Sequence, residues 1–414
     1  MCAAAADPQL DVDVAIVGGG MVGASLAAAL AGIGRRLLLI ESIPFGAAGQ
    51  PSFDERTTAL GNASRRIFEG LGVWTSIAPE AAAIRSIHVS DAGRFGFARL
   101  NAAEQGIDAF GYVVANRCIG AALWRGLSAA PELSMQVPAR VEDLVVTSEC
   151  VRFTVVNDSG PAIAVRTRLL VAADGAHSQV RAASGIAADV VDYQQVAVVA
   201  NVAIDRPHEG RAFERFTPCG PLAVLPRHDG GVAVIWACRP QQARELLALD
   251  ERSYLSQLQA QFGWRTGRFV RAGHRSSYPL RLTRAMAGTA ARTVLIGNAA
   301  QSLHPVAGQG FNLGLRDAAM LAEVIAATGG DVGAPAVLRQ FIEWRMHDRR
   351  GVVGFTDGLI RLFGDSRPGV ALLRNLGLLV FDLAPPAKDA LARVSAGFGG
   401  PTPRLARGLS LRHV

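Results

Sequence analysis

Four residues near the start of the chain have the types and spacing needed to bind a dinucleotide. Three glycines form G-x-G-x-x-G, and Glu41 lies 18 residues beyond the last of them. In this pattern the glycines make a tight turn, admit a pyrophosphate against the backbone and allow helix–strand packing, while the acid accepts hydrogen bonds from a ribose. The pattern fits NAD and FAD equally. The predicted cofactor contacts here are Gly18, Gly20, Met21, Val22, Gly23 and Glu41.

A second glycine-rich region, residues 294–317, combines a strand, a loop and a helix. Residues 293–296 are β-branched or apolar and predict a buried strand, and from about Phe311 the apolar residues recur at helical spacing. Such a loop brings bare backbone N–H groups and the positive end of a helix close to a flat or anionic group. An ordinary β–loop–α connection, whose glycines serve only tight turns, is the alternative. The loop contains Gly297, Pro305, Gly308 and Gly310.

The sequence of this region, G-N-A-A-Q-S-L-H-P-V-A-G-Q-G-F-N-L-G-L-R-D, resembles the third flavin-binding motif of single-component aromatic hydroxylases that use FAD. It is most similar to the ubiquinone-biosynthesis hydroxylases. Most of the wider group has Asp where this chain has Asn298, and the 2-polyprenyl-6-methoxyphenol hydroxylases are similar in carrying Asn. The resemblance implies FAD contacts at Asn298, Gly308, Gln309, Gly310 and Asn312.

The same resemblance implies catalytic positions inside the loop. Pro305 and Ala307 would line the flavin ring, and His304 is the candidate proton carrier. An inert histidine in a tight loop is the favoured alternative for His304.

Two further stretches resemble this family. The pattern F-D-x-R-x-x-A-L places Arg56 by the pyrophosphate, and Arg117 matches an arginine near the FAD phosphates; a solvated or ion-paired arginine is the alternative for both. The pattern A-D-G-A-x-S-x-V-R resembles the second flavin motif, whose aspartate neighbours FAD and affects NAD(P)H use. It implies roles for Asp174, Gly175 and Arg181, with a plain Asp-Gly turn as the alternative.

The elements that must position these residues predict an α/β fold in two parts. A strand, an alanine-rich helix and a second strand open the chain, whereas residues 196–237 contain four strands in succession, typical of an antiparallel sheet. We therefore expect a Rossmann-like FAD-binding domain (1–75, 105–188 and 286–345). An inserted antiparallel-sheet substrate domain would comprise 76–104 and 189–285, and a C-terminal helical region 346–414.

Composition narrows the class of protein. The 414 residues are half hydrophobic, enough for two domains with sizeable cores. The five cysteines are scattered and form no CxxC, so we expect no disulfide framework and no metal site. Without a basic leader or an apolar run of about 18–20 residues, a cytoplasmic protein is expected, peripheral at the inner membrane.

Charge is concentrated near the C-terminus. Residues 336–414 hold 11 Arg and one Lys against 6 Asp or Glu, giving +6 of the net +7. Phe355, Leu359, Ile360 and Phe363 recur at helical spacing, and an apolar stretch follows at 370–383. Because no nucleic-acid motif accompanies the charge, we expect contact with a membrane surface or a ubiquinone-biosynthesis complex, and no nucleic acid.

The single dinucleotide fingerprint bears on the reaction. If FAD occupies it, NAD(P)H must bind transiently against the flavin. The resemblance implies that FAD, NAD(P)H and O2 hydroxylate the ring of a prenylated methoxyphenol in ubiquinone biosynthesis, the cofactor supplying the chemistry. Alternatives are a hydroxylase acting at another ring carbon, a prenyl reductase or halogenase, and a non-catalytic FAD-holding subunit. Halogenases of this group use a lysine in the flavin domain, whereas Lys388, the sole lysine, lies in the tail.

Overall fold

The computed structural model describes residues 10–47, 50, 56–157, 160–303, 308–365 and 367–411, with some side chains between 347 and 368 left out. The strands of these residues are β1 Leu10–Val17, β2 Leu37–Ile40, β3 Thr57–Gly61, β4 Ala82–Ile84, β5 Ser86–Asp91, β6 Phe97–Asn101, β7 Gly111–Ala115, β8 Leu133–Gln136, β9 Arg140–Val146, β10 Val151–Val156, β11 Ile163–Ala172, β12 Ala188–Ile204, β13 Arg211–Thr217, β14 Gly220–Pro226, β15 Val232–Cys238, β16 Phe269–Ala272, β17 Ser276–Ala285, β18 Thr289–Ala290, β19 Thr293–Leu295 and β20 Gln301–Ser302.

The helices of the described residues follow in the same order. They are α1 Met21–Leu30, α2 Asn62–Gly70, α3 Trp74–Ile77, α4 Asn116–Leu127, α5 Gln179–Ala183, α6 Pro240–Ala248, α7 Glu251–Phe262, α8 Gln309–Ala326, α9 Pro335–Gly364, α10 Pro368–Asp382 and α11 Pro385–Ser395.

The first sheet has eight strands, ordered β18-β19-β11-β1-β2-β8, with β10 and β9 added beside β11. The pairs joining β19, β11, β1, β2 and β8 are all parallel. Parallel strands covered on both faces are continuously apolar, as in the run L-L-L-I of β2, which is buried throughout. Helices α1 and α8 contribute to the main core on one face. This is the Rossmann-like part predicted from the opening of the chain.

The second sheet has nine strands, ordered β20-β17-β12-β15-β14-β13-β5-β6, with β16 beside β12. All its pairs are antiparallel except β13 with β5. Helices α6 and α7 cover one face, where Trp236, Tyr254 and Phe262 are buried. The predicted antiparallel sheet is thus confirmed, and with it the fold class; the domain boundaries stay a prediction.

The C-terminal region is helical, as predicted, but its segmentation differs. The apolar pattern predicts separate helical segments at 336–349 and 355–363, whereas α9 runs unbroken through Gly351 and Gly354. A glycine costs a helix only about 1 kcal/mol relative to alanine, which does not by itself end one. After α11 the chain returns to the first domain, where Leu405 and Ala406 join the main core.

Membrane-spanning potential is limited to one place in the described chain. No single described helix is long and apolar enough to cross a bilayer. The pair formed by residues 369–382 and α11, bent by 94°, meets the criteria of length and composition only when both are taken together.

Candidate FAD site

Four neighbouring parallel strands end at the same level, and each leads into one of the predicted cofactor-binding stretches. Val17 of β1 pairs with Ala172 of β11 and with Ile40 of β2, and Ala172 pairs with Leu295 of β19. In open α/β sheets ligands bind in the crevice outside the carboxyl ends of the strands. Gly18, Glu41, Asp174 and Asn298, far apart in sequence, follow these four ends directly or within three residues.

The first glycine loop is tightly enclosed by its neighbours. Gly18 has φ +105°, and a Cβ there would lie 2.4 Å from the carbonyl oxygen of Ala173. A Cβ on Gly23 would lie 1.9 Å from the carbonyl oxygen of Gly18, so α1 can approach the loop only without a side chain at that position. Gly20 is the N-cap of α1, whose first residues are Met21 and Val22. The contact of these three with a pyrophosphate stays a prediction.

Glu41 holds this loop through its buried carboxylate. Its Oε2 accepts a hydrogen bond from the Gly19 N–H at 2.6 Å, and its Oε1 accepts one from the Ile43 N–H at 2.9 Å. On the opposite side, the indole N–H of Trp124 in α4 donates to the Gly19 carbonyl at 3.1 Å. Sequence reasoning missed Trp124, since its only signal is an aromatic residue within a helix. The predicted bond between Glu41 and a ribose stays a prediction.

The second motif forms a compact turn connected to the third. Asp174 accepts hydrogen bonds from the Ser178 hydroxyl at 2.5 Å and from the Val180 N–H at 3.2 Å. Arg181 donates to the carbonyls of Ala176 and Ala299, both at 2.9 Å. The guanidinium therefore ties the loop after β11 to the loop after β19.

Open space lies beside the second motif. Gly175 has φ +86°, and a Cβ there would meet no atom within 4 Å. The backbone therefore faces space that a ligand can fill without rearranging the loop.

The third motif ends in a helix that starts earlier than predicted. Helix α8 begins at Gln309, not near Phe311, because Gly308 adopts φ +61° as its N-cap. The first turn of this 18-residue helix, which includes Gly310, contains no acidic residue that would offset its positive end. Asn298 is exposed at the start of the loop. His304, Pro305 and Ala307 lie outside the described residues.

The side chain of Asn312 is fully used inside the protein. Its Oδ1 accepts from the Gly61 N–H at 2.9 Å and the Ser64 hydroxyl at 2.6 Å, and its Nδ2 donates to the carbonyls of Ala59 and Gly308, both at 2.8 Å. Asn312 thus fixes the start of α8 against the end of β3. A side-chain contact with FAD would replace one of these bonds, so the predicted cofactor contact stays a prediction.

A buried ion pair anchors the third motif from the other side. Asp317 of α8 pairs with Arg345 of α9, and its Oδ2 accepts the Gly297 N–H at 3.0 Å. Both side chains are almost inaccessible to solvent. Sequence reasoning gave neither residue a role, although Asp317, a charged residue within the apolar pattern of α8, was a usable signal. Gln309, also buried, donates to the Ser395 carbonyl of α11 at 3.4 Å.

The two predicted arginines lie at the border of this region. The Arg56 guanidinium stacks over the Tyr278 ring of β17, 4.4 Å from its centroid. Arg117, at the start of α4, lies 3.6 Å from Glu80 in the ion pair that the sequence analysis named as its alternative. Contacts of either arginine with FAD phosphates stay predictions.

The residues at this edge fit FAD. The glycine loop leaves no room for side chains, Glu41 lies next to it, and the positive N-terminus of α8 suits an electron-rich ring or phosphate. Among the described residues there is no cluster of His, Cys, Asp and Glu able to hold a metal ion.

Comparison with known families agrees with this geometry. A family model described as an FAD binding domain matches residues 11–355. The chain belongs to this FAD-binding family. Within it, the chain is 37% identical to the ubiquinone hydroxylase UbiL of Rhodospirillum rubrum, covering 96% of this chain and 93% of that one. It is 31% identical to the 3-demethoxyubiquinol 3-hydroxylase of Escherichia coli, covering 93% and 98%.

A solved structure shows the same fold. The p-nitrophenol 4-monooxygenase PnpA of Pseudomonas putida matches with a TM-score of 0.78 and 20% identity, over 95% of this chain and 99% of that one. As a member of the FAD-binding family with these relatives, the protein is a FAD-dependent aromatic hydroxylase, and NAD(P)H is the family's typical co-substrate.

Proposed function

We propose that the protein hydroxylates the aromatic ring of a polyprenylated methoxyphenol in ubiquinone biosynthesis, using NAD(P)H and O2. The names of its relatives support this pathway, including a human mitochondrial ubiquinone biosynthesis monooxygenase that is 29% identical over 92% of this chain. The observation that carries the proposal is the meeting of three flavin motifs at one sheet edge, beside a second, largely apolar sheet.

That second sheet offers a wall suited to an aromatic substrate. The face not covered by α6 and α7 combines small and aliphatic side chains with the carboxyl group of Glu214, which the strand register places on the same face as Ile235. Its strand β17 pairs with β20, which lies within the third motif, and Tyr278 of β17 stacks under Arg56. When bound, FAD supplies electron transfer and oxygen activation; the chain binds and orients the substrate and excludes water. The apolar residues of this face are Ala197, Val199, Ile235, Ala237 and Leu280.

We also propose that the protein takes its substrate from a membrane surface or a lipid-presenting partner. A polyprenyl chain is too apolar to diffuse freely in water, and the C-terminal region carries most of the net positive charge. Two arginines of this region are held against the first domain: the Arg404 N–H donates to Glu323 at 2.7 Å, and Arg407 lies 4.0 Å from the same carboxylate. Helix α9, which precedes these arginines, contacts the second sheet, because its Phe363 stacks on Phe216 of β13.

The test is oxygen-dependent NAD(P)H oxidation by the purified holoprotein. We expect a prenylated methoxyphenol to accelerate oxidation and to be recovered with one added oxygen atom. Anaerobic titration with NADPH, followed by flavin absorbance, gives the control for a scaffold, which would keep its flavin oxidised. Phenols that neither speed flavin reduction nor become hydroxylated would contradict the proposal.

A further inference from the structure

Helix α10 has its apolar face towards solvent, the reverse of a normal surface helix. Leu373 is 70% exposed and Val380 67% exposed, and both lie on a stripe with helical spacing. The opposite side contains the buried residues Ala371, Arg374 and Asn375, and Phe381 packs against the core. Within the described part of the chain nothing covers the apolar stripe. Its members are Leu372, Leu373, Leu376, Val380 and, just beyond the helix, Leu383.

The polar side of α10 is locked to the hairpin of β5 and β6. Asp91 accepts hydrogen bonds from Arg374 at 2.6 Å and from Asn375 at 2.9 Å. The Oδ1 of Asn375 accepts the Gly96 N–H at 2.7 Å, and at the far end Asp382 accepts the Arg99 N–H at 2.7 Å. These bonds fix which side of the helix faces outward. The exposure of the leucines is therefore built into the fold.

A cavity of about 490 Å³ lies beside the stripe and is lined by cationic side chains. Arg94, Arg215 and Arg265 line it together with Phe95 and Leu372, and none of its lining residues is acidic. The carboxylate of Asp91 lies 3.7 Å from Arg94 and is already engaged by Arg374. The cavity therefore keeps an excess of positive charge.

Neighbouring groups report the same positive field. Burial, together with the charges of Arg265 and Arg99, lowers the pKa of His88 to about 4. Burial and the charge of Arg265 also lower the pKa of Arg215. An anion in the cavity would relieve this repulsion.

We propose that α10 lies in the surface of a bilayer containing anionic phospholipid, with its stripe among the acyl chains and a lipid phosphate in the arginine cavity. An apolar face rimmed by cations is typical of helices that lie in the membrane interface. Leu372 belongs to both the stripe and the cavity, so one lipid molecule can occupy the two together. The inference rests on the proposed function in one respect, because a lipid-borne substrate gives the enzyme its reason to dock.

Charge argues against a second copy of the chain as the occupant. In a two-fold symmetric dimer the same surface meets itself, so the arginines of one cavity would face those of the other. The clamp to β5 and β6 also keeps α10 beside the protein, which favours a helix lying on the membrane over one crossing it.

The experiment is co-sedimentation of full-length holoprotein with phosphatidylcholine vesicles, with and without phosphatidylglycerol. Two double variants test the two parts of the surface: Leu373→Asn/Val380→Asn and Arg94→Gln/Arg265→Gln. Val145→Asn and Arg140→Gln on β9, whose side chains are exposed, are the matched controls. Flavin content and thermal unfolding verify that each variant is folded.

We expect the wild type and both controls to bind vesicles containing phosphatidylglycerol. The leucine–valine variant should bind at least about tenfold more weakly, because two apolar side chains no longer enter the acyl region. The arginine variant should lose binding only to the anionic vesicles. In about 1 M salt the Debye length falls to about 3 Å, so the binding of wild-type protein to anionic vesicles should weaken towards that of the arginine variant.

Three results would overturn the proposal: equal binding by all variants, full displacement by inorganic phosphate, or a solution dimer that Leu373→Asn/Val380→Asn dissociates.

If the double variants fold poorly, maleimide labelling of Leu373→Cys replaces them. Vesicles with phosphatidylglycerol should protect that thiol and leave Val145→Cys reactive, and equal labelling with and without vesicles would count against docking. Hydroxylation of a short-chain, water-soluble methoxyphenol should be unaffected by every surface variant. Its absence in the wild type would remove the proposed function and leave the vesicle result standing.

Discussion

Helices α8 and α10 are both rich in apolar residues, yet they use this character in opposite ways. In α8, 15 of 18 residues are buried, and its buried polar residues Asn312 and Asp317 hold the loops of the flavin site. In α10 the buried polar residues Arg374 and Asn375 hold the helix itself, and the leucines face outward. Apolar periodicity therefore shows that a helix has an apolar face, while long-range polar contacts decide what that face meets.

The largest effect is expected from breaking the polar anchor of α8. Asp317→Ala leaves Arg345 buried without its carboxylate and frees the Gly297 N–H, which should cost about 3–5 kcal/mol of unfolding free energy. Denaturant unfolding and the flavin-to-protein absorbance ratio measure both consequences. The double variant Asp317→Leu/Arg345→Met is the control, and it should recover most of the stability. A normal flavin ratio in Asp317→Ala would show that this pair does not position the site.

Breaking the corresponding anchor of α10 should separate the two regions. Asp91→Ala removes the carboxylate partner of the buried Arg374, which keeps only its hydrogen bonds to the Leu362 and Asp365 carbonyls, and we expect a loss of about 3 kcal/mol together with a detached α10. The flavin ratio should stay normal, because Asp91 lies in the second sheet. Limited proteolysis within residues 365–383 measures the detachment, and Asp365→Asn, in an ion pair with the exposed Arg367, should change little. Loss of flavin would mean that the two regions are coupled.

The pH dependence of unfolding should distinguish the region of α10 from that of α8, because the sheet next to α9 and α10 contains a buried carboxyl group. Burial raises the pKa of Glu214 in β13 from 4.5 to about 8. The neutral acid is favoured in the folded state, so stability should fall as pH rises from about 4.5 to about 8, by a few kcal/mol. Glu214→Gln should remove this fall, whereas Glu104→Gln, at an exposed site, should keep it. If the free energies of unfolding of the wild type and Glu214→Gln changed with pH in parallel, the raised pKa of Glu214 would be contradicted.

The smallest effect concerns the aromatic support of the first glycine loop. Trp124→Phe removes the indole N–H that donates to the Gly19 carbonyl but keeps most of the apolar packing, so we expect a loss of about 1 kcal/mol in stability or FAD affinity. Fluorescence titration of the apoprotein with FAD measures it, with Trp264→Phe, at an exposed tryptophan, as the control. Equal affinities for the two variants would remove Trp124 from the site.

The parts of the fold that sequence could predict depend on local chemistry. Glycines after short apolar strands predicted the loops, because only a residue without Cβ fits where Gly18 and Gly23 lie. The unpredicted parts depend on partners far away in the chain. Trp124 reaches Gly19 across 105 positions, and Asn375 reaches Gly96 across 279. Short-range periodicity contains no information about such distant pairs. It therefore could not predict the bond that supports the flavin loop, or that the apolar stripe of α10 faces solvent.

The return of the chain to its first domain has a consequence for synthesis on the ribosome. The main core that begins with Val14 and Ile16 also contains Leu405 and Leu411, and the Ala63 N–H donates to the Ala396 carbonyl. A nascent chain therefore cannot complete this core until Leu411 has emerged. The apolar stripe of α10 leaves the exit tunnel before that point, so it is presented to chaperones or to the membrane while the flavin domain is still open.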